Sequence, residues 1–221
     1  MAELWIAVTL AAFGGGLALQ RRLRTPAVQP PLVAIVALVV VLLVTGVPYD
    51  DYASSTHLLS ALLGPGVVAL AVPLHRERQT LLRHGRPLLL AAACGTASAV
   101  AVGWGAGSLL HLSPPWELAV TSRSATSPIS IALADQLHGA PALSAVISIL
   151  AGLVGAVAGP AWLDLIRVRA PVARGLAQGI ASHGLGTARI LQEGHRTGAA
   201  AAVGMGVGGL IVAVVLPLVW R

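Results

Sequence analysis

The chain has 221 residues, of which 56% are hydrophobic and 10% carry a charge. A soluble domain normally carries about a quarter charged residues, so this composition excludes an ordinary soluble fold. The net charge of +6 comes from arginines in short clusters between apolar blocks, a distribution typical of membrane-protein loops and not of a nucleic-acid-binding face.

Eight apolar blocks follow one another along the chain. Each approaches or exceeds the roughly 20 residues that a helix needs to cross a bilayer. None has the alternating pattern of a membrane β-strand, so we predict an all-α, polytopic membrane protein. The blocks span residues 4–20, 31–47, 57–75, 87–111, 117–137, 141–163, 171–192 and 197–219.

Four arginine clusters orient these blocks, because arginine concentrates in cytoplasmic loops. All four lie in the cytoplasm only if one block turns back inside the bilayer. We assign that re-entrant segment to 117–137, because polar residues occupy its middle. The clusters hold eleven of the fourteen arginines: Arg21, Arg22 and Arg24; Arg76, Arg78, Arg83 and Arg86; Arg167, Arg169 and Arg174; and Arg221.

This arrangement predicts seven crossings, with the N-terminus outside and the C-terminus in the cytoplasm. Residues 1–25 form a peripheral first helix, followed by a first repeat at 31–111, the re-entrant segment and a second repeat at 141–221. The two repeats have opposite orientations, as in inverted-repeat transporters. The middle block of each is interrupted, a pattern that also fits a simple kink. The interrupting residues are Gly64, Pro65 and Gly66 in the first repeat and Gly184 and Gly186 in the second.

A first polar cluster lies in the re-entrant segment. Thr126 or Ser127 can cap a helix that has Pro128 in its first turn, and Arg123 stands just before them. A helix N-terminus attracts anions and arginine binds carboxylates, so these residues predict a carboxylate site. The same pattern fits an ordinary capped helix after a loop.

A second polar cluster lies in block 171–192 and comprises Ser182, His183, Thr187 and Arg189. An ionisable residue within a membrane span usually faces the protein interior and is paired, so we expect Arg189 to pair with Glu193 or Asp135. His183 or Asp135 fits a proton carrier. The alternative for His183 is a buried structural hydrogen-bond donor.

No sequence motif indicates enzyme chemistry, a metal site or a cofactor. At the residues described above, the chain resembles the LrgB/CidB family of bacterial membrane proteins. The family usually has lysine where Arg123 stands, and it often has glutamate near Ala132, so no carboxylate role is carried over to that position. The matching stretches are LGPGVVALAVPL at 63–74, RSATSPISIALADQLHG at 123–139, PALSAVISILAGLVGAVAGP at 141–160 and PVARGLAQGIASHGLGTAR at 171–189.

The resemblance implies two functions. One is a holin-like or antiholin-like modulator of murein hydrolases and autolysis, acting with a small LrgA/CidA-type membrane partner. The other is transport of small monocarboxylates, because plastid relatives look like glycolate/glycerate transporters and bacterial relatives are implicated in pyruvate movement. A holin acts as a lesion-forming oligomer, which needs neither broken helices nor interior arginines. The presence of both in this sequence therefore favours transport. A non-transporting regulatory scaffold is a third alternative.

We therefore predict a non-enzymatic transporter or facilitator of small monocarboxylates in the bacterial inner membrane. Its expected partners are the solute, the lipid bilayer, a small LrgA/CidA-type membrane protein and further copies of the chain, and no nucleic acid is expected. Arg123 and Arg189 would neutralise the carboxylate. The remaining predicted binding residues are Thr126 and Ser127 on one wall, and Ser182, His183 and Thr187 on the other.

Overall fold

The computed structural model describes residues 2–23, 28–62, 65, 68–69, 71–83 and 85–220. All regular structure in these residues is helical, which confirms the predicted all-α class. The chain separates into two compact units, Met1–Ala69 and Leu70–Arg221. Within the described residues, four helices are long and apolar enough to cross a membrane: Ala2–Leu23, Gly85–Leu109, Pro141–Leu165 and His195–Val219.

In its described part, the first unit contains α1 (Ala2–Leu23), α2 (Pro30–Thr45), α3 (Tyr49–Ser55) and α4 (His57–Ala61). Helices α1 and α2 approach closely at Gly16, where a Cβ would lie 2.8 Å from the carbonyl oxygen of Pro30. The ring of Trp5 on α1 packs edge-on against Tyr52 of α3, with centroids 5.6 Å apart. Of the predicted break, Pro65 is described in a helical position, and Gly64 and Gly66 lie outside the described residues.

The second unit begins with two short helices, α5 (Ala71–Arg76) and α6 (Arg78–Arg83). Three 25-residue helices follow: α7 (Gly85–Leu109), α10 (Pro141–Leu165) and α12 (His195–Val219). Two broken segments lie between them. The first comprises α8 (Pro114–Thr121), a 3₁₀ turn at Ser122–Ser124 and α9 (Ser127–Gln136); the second comprises α11 (Pro171–Ile190) and a 3₁₀ turn at Leu191–Glu193.

Residues 114–139, which we call hairpin 1, fold back on themselves. The side chain of Leu118 on α8 reaches Gly139, beyond the end of α9. The hydroxyl of Ser130 on α9 donates to the carbonyl of Ser122 at 2.9 Å. Helices α8 and α9 therefore lie side by side, and the tip of hairpin 1 is at 122–126.

Residues 171–193, which we call hairpin 2, also fold back. Arg174 donates to the carboxylate of Glu193 at 2.7 Å, although a straight helix rising about 1.5 Å per residue would hold these positions roughly 28 Å apart. The reversal lies at His183, whose φ of 37° and ψ of −125° are not helical. The sequence predicts an interrupted crossing over 171–192, and the structure has a hairpin there instead.

Close approaches at glycines fix the helix directions. The first half of α11 packs beside α10 in the opposite direction: Gly155 faces Ser182, and Gly159 faces Gln178. It packs beside α12 in the same direction, with Gly175 against Thr197 and Gly179 against Ala201. Helices α10 and α12 are therefore antiparallel, and small residues allow this close packing of backbones.

The two hairpins have their bases at opposite ends of α10. Hairpin 1 ends next to the start of α10, whereas Arg174 in hairpin 2 is bonded to Asp164 at its end. Helix α12 begins beside the base of hairpin 2 and ends where Trp220 packs on the core of hairpin 1. The sequence predicts that α12 returns the chain to the end that carries the Arg167–Arg174 cluster. The structure places the end of α12 opposite that cluster, because the chain reverses within hairpin 2.

Candidate functional site

The tips of the two hairpins meet at Ser148, a fully buried residue of α10. Its hydroxyl donates to the carbonyl of Ala125 in the tip of hairpin 1 at 2.8 Å. Its own carbonyl lies 3.1 Å from Nε2 of His183 in the tip of hairpin 2, so Nε2–H is the donor. One residue thus supplies a donor to one tip and an acceptor to the other. We call this meeting point the tip junction.

Glycines on α10 make room for hairpin 2. A Cβ at Gly152 would lie 2.6 Å from Cε1 of His183, and a Cβ at Gly155 would overlap the hydroxyl of Ser182. The amide of Gln178 donates to the carbonyl of Gly155 at 2.6 Å. The imidazole of His183 therefore packs directly against the α10 backbone at Gly152, which brings its Nε2 within hydrogen-bond distance of the Ser148 carbonyl.

Five buried hydroxyls have no hydrogen-bond partner among the described protein atoms: Thr96 on α7, Ser124 in hairpin 1, Ser144 on α10, and Ser182 and Thr187 in hairpin 2. All but Thr96 lie next to, or one helical turn from, a member of the bonded trio Ala125, Ser148 and His183, although Ser144 and Ser182 are far apart along α10 because Ser182 faces Gly155. An unsatisfied buried polar group costs about 1–3 kcal/mol. These hydroxyls therefore lower stability unless another molecule binds them.

The predicted residues of hairpin 1 lie at or beside this junction. Helix α9 has Thr126 as its N-cap, without a side-chain capping bond, followed by Ser127 and the exposed Pro128. The half-buried Arg123 donates from Nη1 to the carbonyl of Val120 at 2.7 Å. Its guanidinium packs where Gly103 of α7 leaves space. Among the described residues, Arg123 forms no ion pair.

Of the predicted residues in hairpin 2, Ser182, His183 and Thr187 are buried at the junction. The break falls at His183 itself, and Gly184 and Gly186 continue the helix beyond it. Close to the break, a Cβ at Gly186 would lie 2.8 Å from the carbonyl of Gln178.

The prediction that Arg189 pairs with Glu193 or Asp135 is wrong. Arg189 makes a long contact of 3.4 Å with the amide oxygen of Gln192. Glu193 pairs with Arg174 instead, because the reversal of hairpin 2 brings the two ends of α11 together. Asp135 is exposed near the end of α9, at the base of hairpin 1 and away from its tip.

The sequence does not indicate that Arg174 binds two carboxylates. From its position in the chain, Arg174 is only one member of a predicted cytoplasmic arginine cluster. Its buried guanidinium donates to both carboxylate oxygens of Glu193, at 2.7 and 2.9 Å. It also donates to Asp164 at 2.6 Å and to the carbonyl of Val168 at 2.9 Å. We call this group the Arg174 clasp. It joins the end of α10, the start of α11 and the end of hairpin 2.

Two cavities flank these elements. One of about 510 Å³ lies at the base of hairpin 2 and is lined by Asp164, Arg169, Pro171, Arg174, Glu193 and Thr197. The other, of about 570 Å³, lies between α7 and α12 and has an apolar lining that includes Ala97, Trp104, Val212 and Trp220. Within the described ranges, no group of three or more His, Cys, Asp or Glu side chains is placed to hold a metal ion.

The chain is similar to known proteins over most of its length. The LrgB-like family matches residues 9–221. The protein YxaC of Bacillus subtilis strain 168, described as uncharacterized, is 31% identical over 86% of this chain and 83% of its own length. The holin-like protein CidB of Staphylococcus epidermidis is 27% identical over 98% of this chain and 95% of its own.

The antiholin-like protein LrgB of Bacillus mycoides is 28% identical over 96% of this chain and 93% of its own length. No solved structure matches the chain.

Replacing Arg174 by methionine should destabilise the second unit by on the order of 3 kcal/mol, because two carboxylates lose their buried partner. The side chain of Asp164 is 70% exposed, so water solvates its carboxylate after Arg174 is replaced and reduces the loss of stability. Arg169→Met is the matched control, since Arg169 lines the same cavity but is exposed. Thermal unfolding in detergent measures both. Equal midpoints for the two variants would contradict a structural role for the clasp.

Proposed function

This chain belongs to the LrgB-like family, and we propose that it is a multi-pass membrane protein with a holin-like or antiholin-like function. The support is the similarity over nearly the whole chain to relatives that carry these two descriptions. Neither description is that of an enzyme. In this proposal the chain modulates murein hydrolase activity and autolysis with a small LrgA/CidA-type membrane partner.

A second candidate function is the movement of small monocarboxylates such as glycolate or pyruvate, and the tip junction is the observation that favours it. Two hairpins approach from opposite ends of α10 and meet at buried polar groups on Ser148 and His183. Non-helical backbone at membrane depth is tolerated where protein surrounds it or where it lines a cavity. Broken helices facing each other at the midplane are a recurring arrangement of solute sites in transporters.

We further propose that both hairpins are re-entrant. Helices α7, α10 and α12 then cross the bilayer, hairpin 1 enters from outside and hairpin 2 enters from the cytoplasm. With three crossings before α7, this gives six crossings in place of the seven predicted from sequence. The N-terminus stays outside, and the C-terminus is also outside. Only Arg221 then departs from the positive-inside rule among the four clusters.

The inverted repeat in this proposal is shorter than the one predicted from sequence. It pairs hairpin 1 and α10, residues 114–165, with hairpin 2 and α12, residues 171–219. Each half opens at a proline, Pro114 or Pro171, and the long helix of each half contains a proline near its end, Pro160 in α10 and Pro217 in α12. The antiparallel directions of α10 and α12 support the inversion.

Cysteine labelling tests the proposed topology. In a Cys94→Ala background, Gln192→Cys should react with a membrane-impermeant maleimide from the cytoplasmic side, because hairpin 2 returns to the side on which it began. His138→Cys and Arg167→Cys are the controls, expected outside and inside whether or not hairpin 2 crosses. Reaction of Gln192→Cys from the outside would show that 171–192 crosses the bilayer.

The two functions are separated by paired measurements. In Bacillus subtilis lacking YxaC, expression of the chain with a small LrgA/CidA-type protein should change the rate of detergent-induced autolysis. An unchanged rate would contradict the holin-like or antiholin-like role. In liposomes holding the purified chain, saturable uptake of labelled glycolate or pyruvate, without leakage of a large dye, would support the carboxylate pathway. No uptake of either labelled solute would contradict the carboxylate pathway.

A further inference from the structure

The cavity at the base of hairpin 2 has charges of both signs on its wall. Its volume of about 510 Å³ is typical of a site for a small ligand or a headgroup. The Arg174 clasp joins one guanidinium to the two carboxylates of Asp164 and Glu193, so the clasp keeps one surplus negative charge. Arg169 lines the same cavity and supplies one positive charge.

The helix ends around the cavity do not alter this balance. Helices α11 and α12 begin there, at Pro171 and His195, so two positive dipole ends point towards it. Helix α10 and the second half of α11 end there, at Leu165 and Ile190, and their negative dipole ends offset the first two. The side chains that line the cavity therefore decide which ligand fits.

Three lining groups keep atoms that can bond to a ligand. Arg169 is exposed and forms no ion pair among the described residues. Asp164 accepts from Arg174 through Oδ1, and because its side chain is largely exposed, Oδ2 can accept from a ligand. Thr197 is 2% exposed, and its hydroxyl bonds to no group in the part of the chain that the structure describes. The cavity thus offers a cation, a carboxylate oxygen and a buried hydroxyl.

The same end of α10 exposes large apolar side chains. Leu165 and Ile166 directly follow Asp164, Trp162 lies just before it, and all three apolar residues are more than half exposed. Tryptophan concentrates where a membrane meets water. In the proposed placement this end of α10 lies at the cytoplasmic interface, where acyl chains cover apolar side chains and headgroups reach polar ones. A lipid supplies both parts in one molecule.

We propose that this cavity binds the phosphoethanolamine headgroup of a membrane lipid. The phosphate accepts from Arg169 and Thr197, and the ammonium donates to Asp164. A headgroup with one charge of each sign neutralises both Arg169 and the surplus charge of the clasp, whereas an anionic headgroup leaves that surplus unpaired. The site rests on the proposed membrane placement, which the cysteine labelling tests separately.

Thermal unfolding of the full chain in detergent tests the site, with lipids of identical acyl chains added at increasing mole fraction. Phosphatidylethanolamine should give a saturable rise in Tm. Phosphatidylglycerol lacks the ammonium, and phosphatidylcholine has no N–H to donate, so each should bind about tenfold more weakly. Soluble O-phosphoethanolamine is the fourth ligand. A rise in Tm with this soluble compound but not with the lipid would overturn the assignment to a lipid.

Three variants test the individual contacts. Arg169→Gln should weaken phosphatidylethanolamine binding about tenfold, because the phosphate loses its charged donor. Arg167→Gln is the matched control and should keep the wild-type affinity, since Arg167 is exposed in the same loop but does not line the cavity. Asp164→Asn should reverse the preference in favour of phosphatidylglycerol, a change in selectivity that lower stability alone would not produce.

The absence of saturable stabilisation by phosphatidylethanolamine in wild type would overturn the site. Equal affinities of Arg169→Gln and Arg167→Gln, or an unchanged lipid preference in Asp164→Asn, would do the same. The autolysis and uptake measurements do not depend on this cavity, so a failure of the lipid site is distinguishable from a failure of either proposed function.

Discussion

The hydrogen bonds of Ser148 are the interaction on which the second unit depends. A helix that ends inside a membrane protein leaves backbone carbonyls or N–H groups unpaired, and these are costly in an apolar surrounding. Ser148 supplies a hydroxyl donor to Ala125 and a carbonyl acceptor to His183. Both interrupted segments are thereby fastened to the same turn of α10. The chain can reverse inside the protein at both tips because this turn of α10 forms hydrogen bonds with a polar group of each tip.

The glycines and the Arg174 clasp make this contact geometrically possible. Bare backbone at Gly152 and Gly155 lets the tip of hairpin 2 approach α10, and the clasp holds the base of the same hairpin at the other end. The hairpin is thus held at both base and tip, which keeps His183 in a backbone conformation that is unusual for a residue other than glycine. A constrained tip beside unsatisfied hydroxyls is the kind of place where proteins bind ligands.

Much of this was predictable from sequence, and the limits have a physical cause. Composition and block length indicate an all-α membrane protein, and Pro128 with the residues before it marks the start of α9. The polar residues at 182–187 also indicate a buried site. Chain direction beyond His183 was not predictable, because a kinked crossing and a hairpin have the same hydrophobic pattern. The pairing of Arg174 with Glu193 depends on that direction, as does the side on which α12 ends.

The reversal of the chain within α11 is the central structural claim, and pulsed EPR tests it most directly. Spin labels at Ala173 and Gln192, both exposed, should give a narrow distance distribution near or below about 20 Å, because the two ends of hairpin 2 lie together. A continuous crossing helix would separate these positions by roughly 28 Å along its axis. A single population at that longer distance in lipid nanodiscs would contradict the opposed-hairpin architecture and the tip junction built on it.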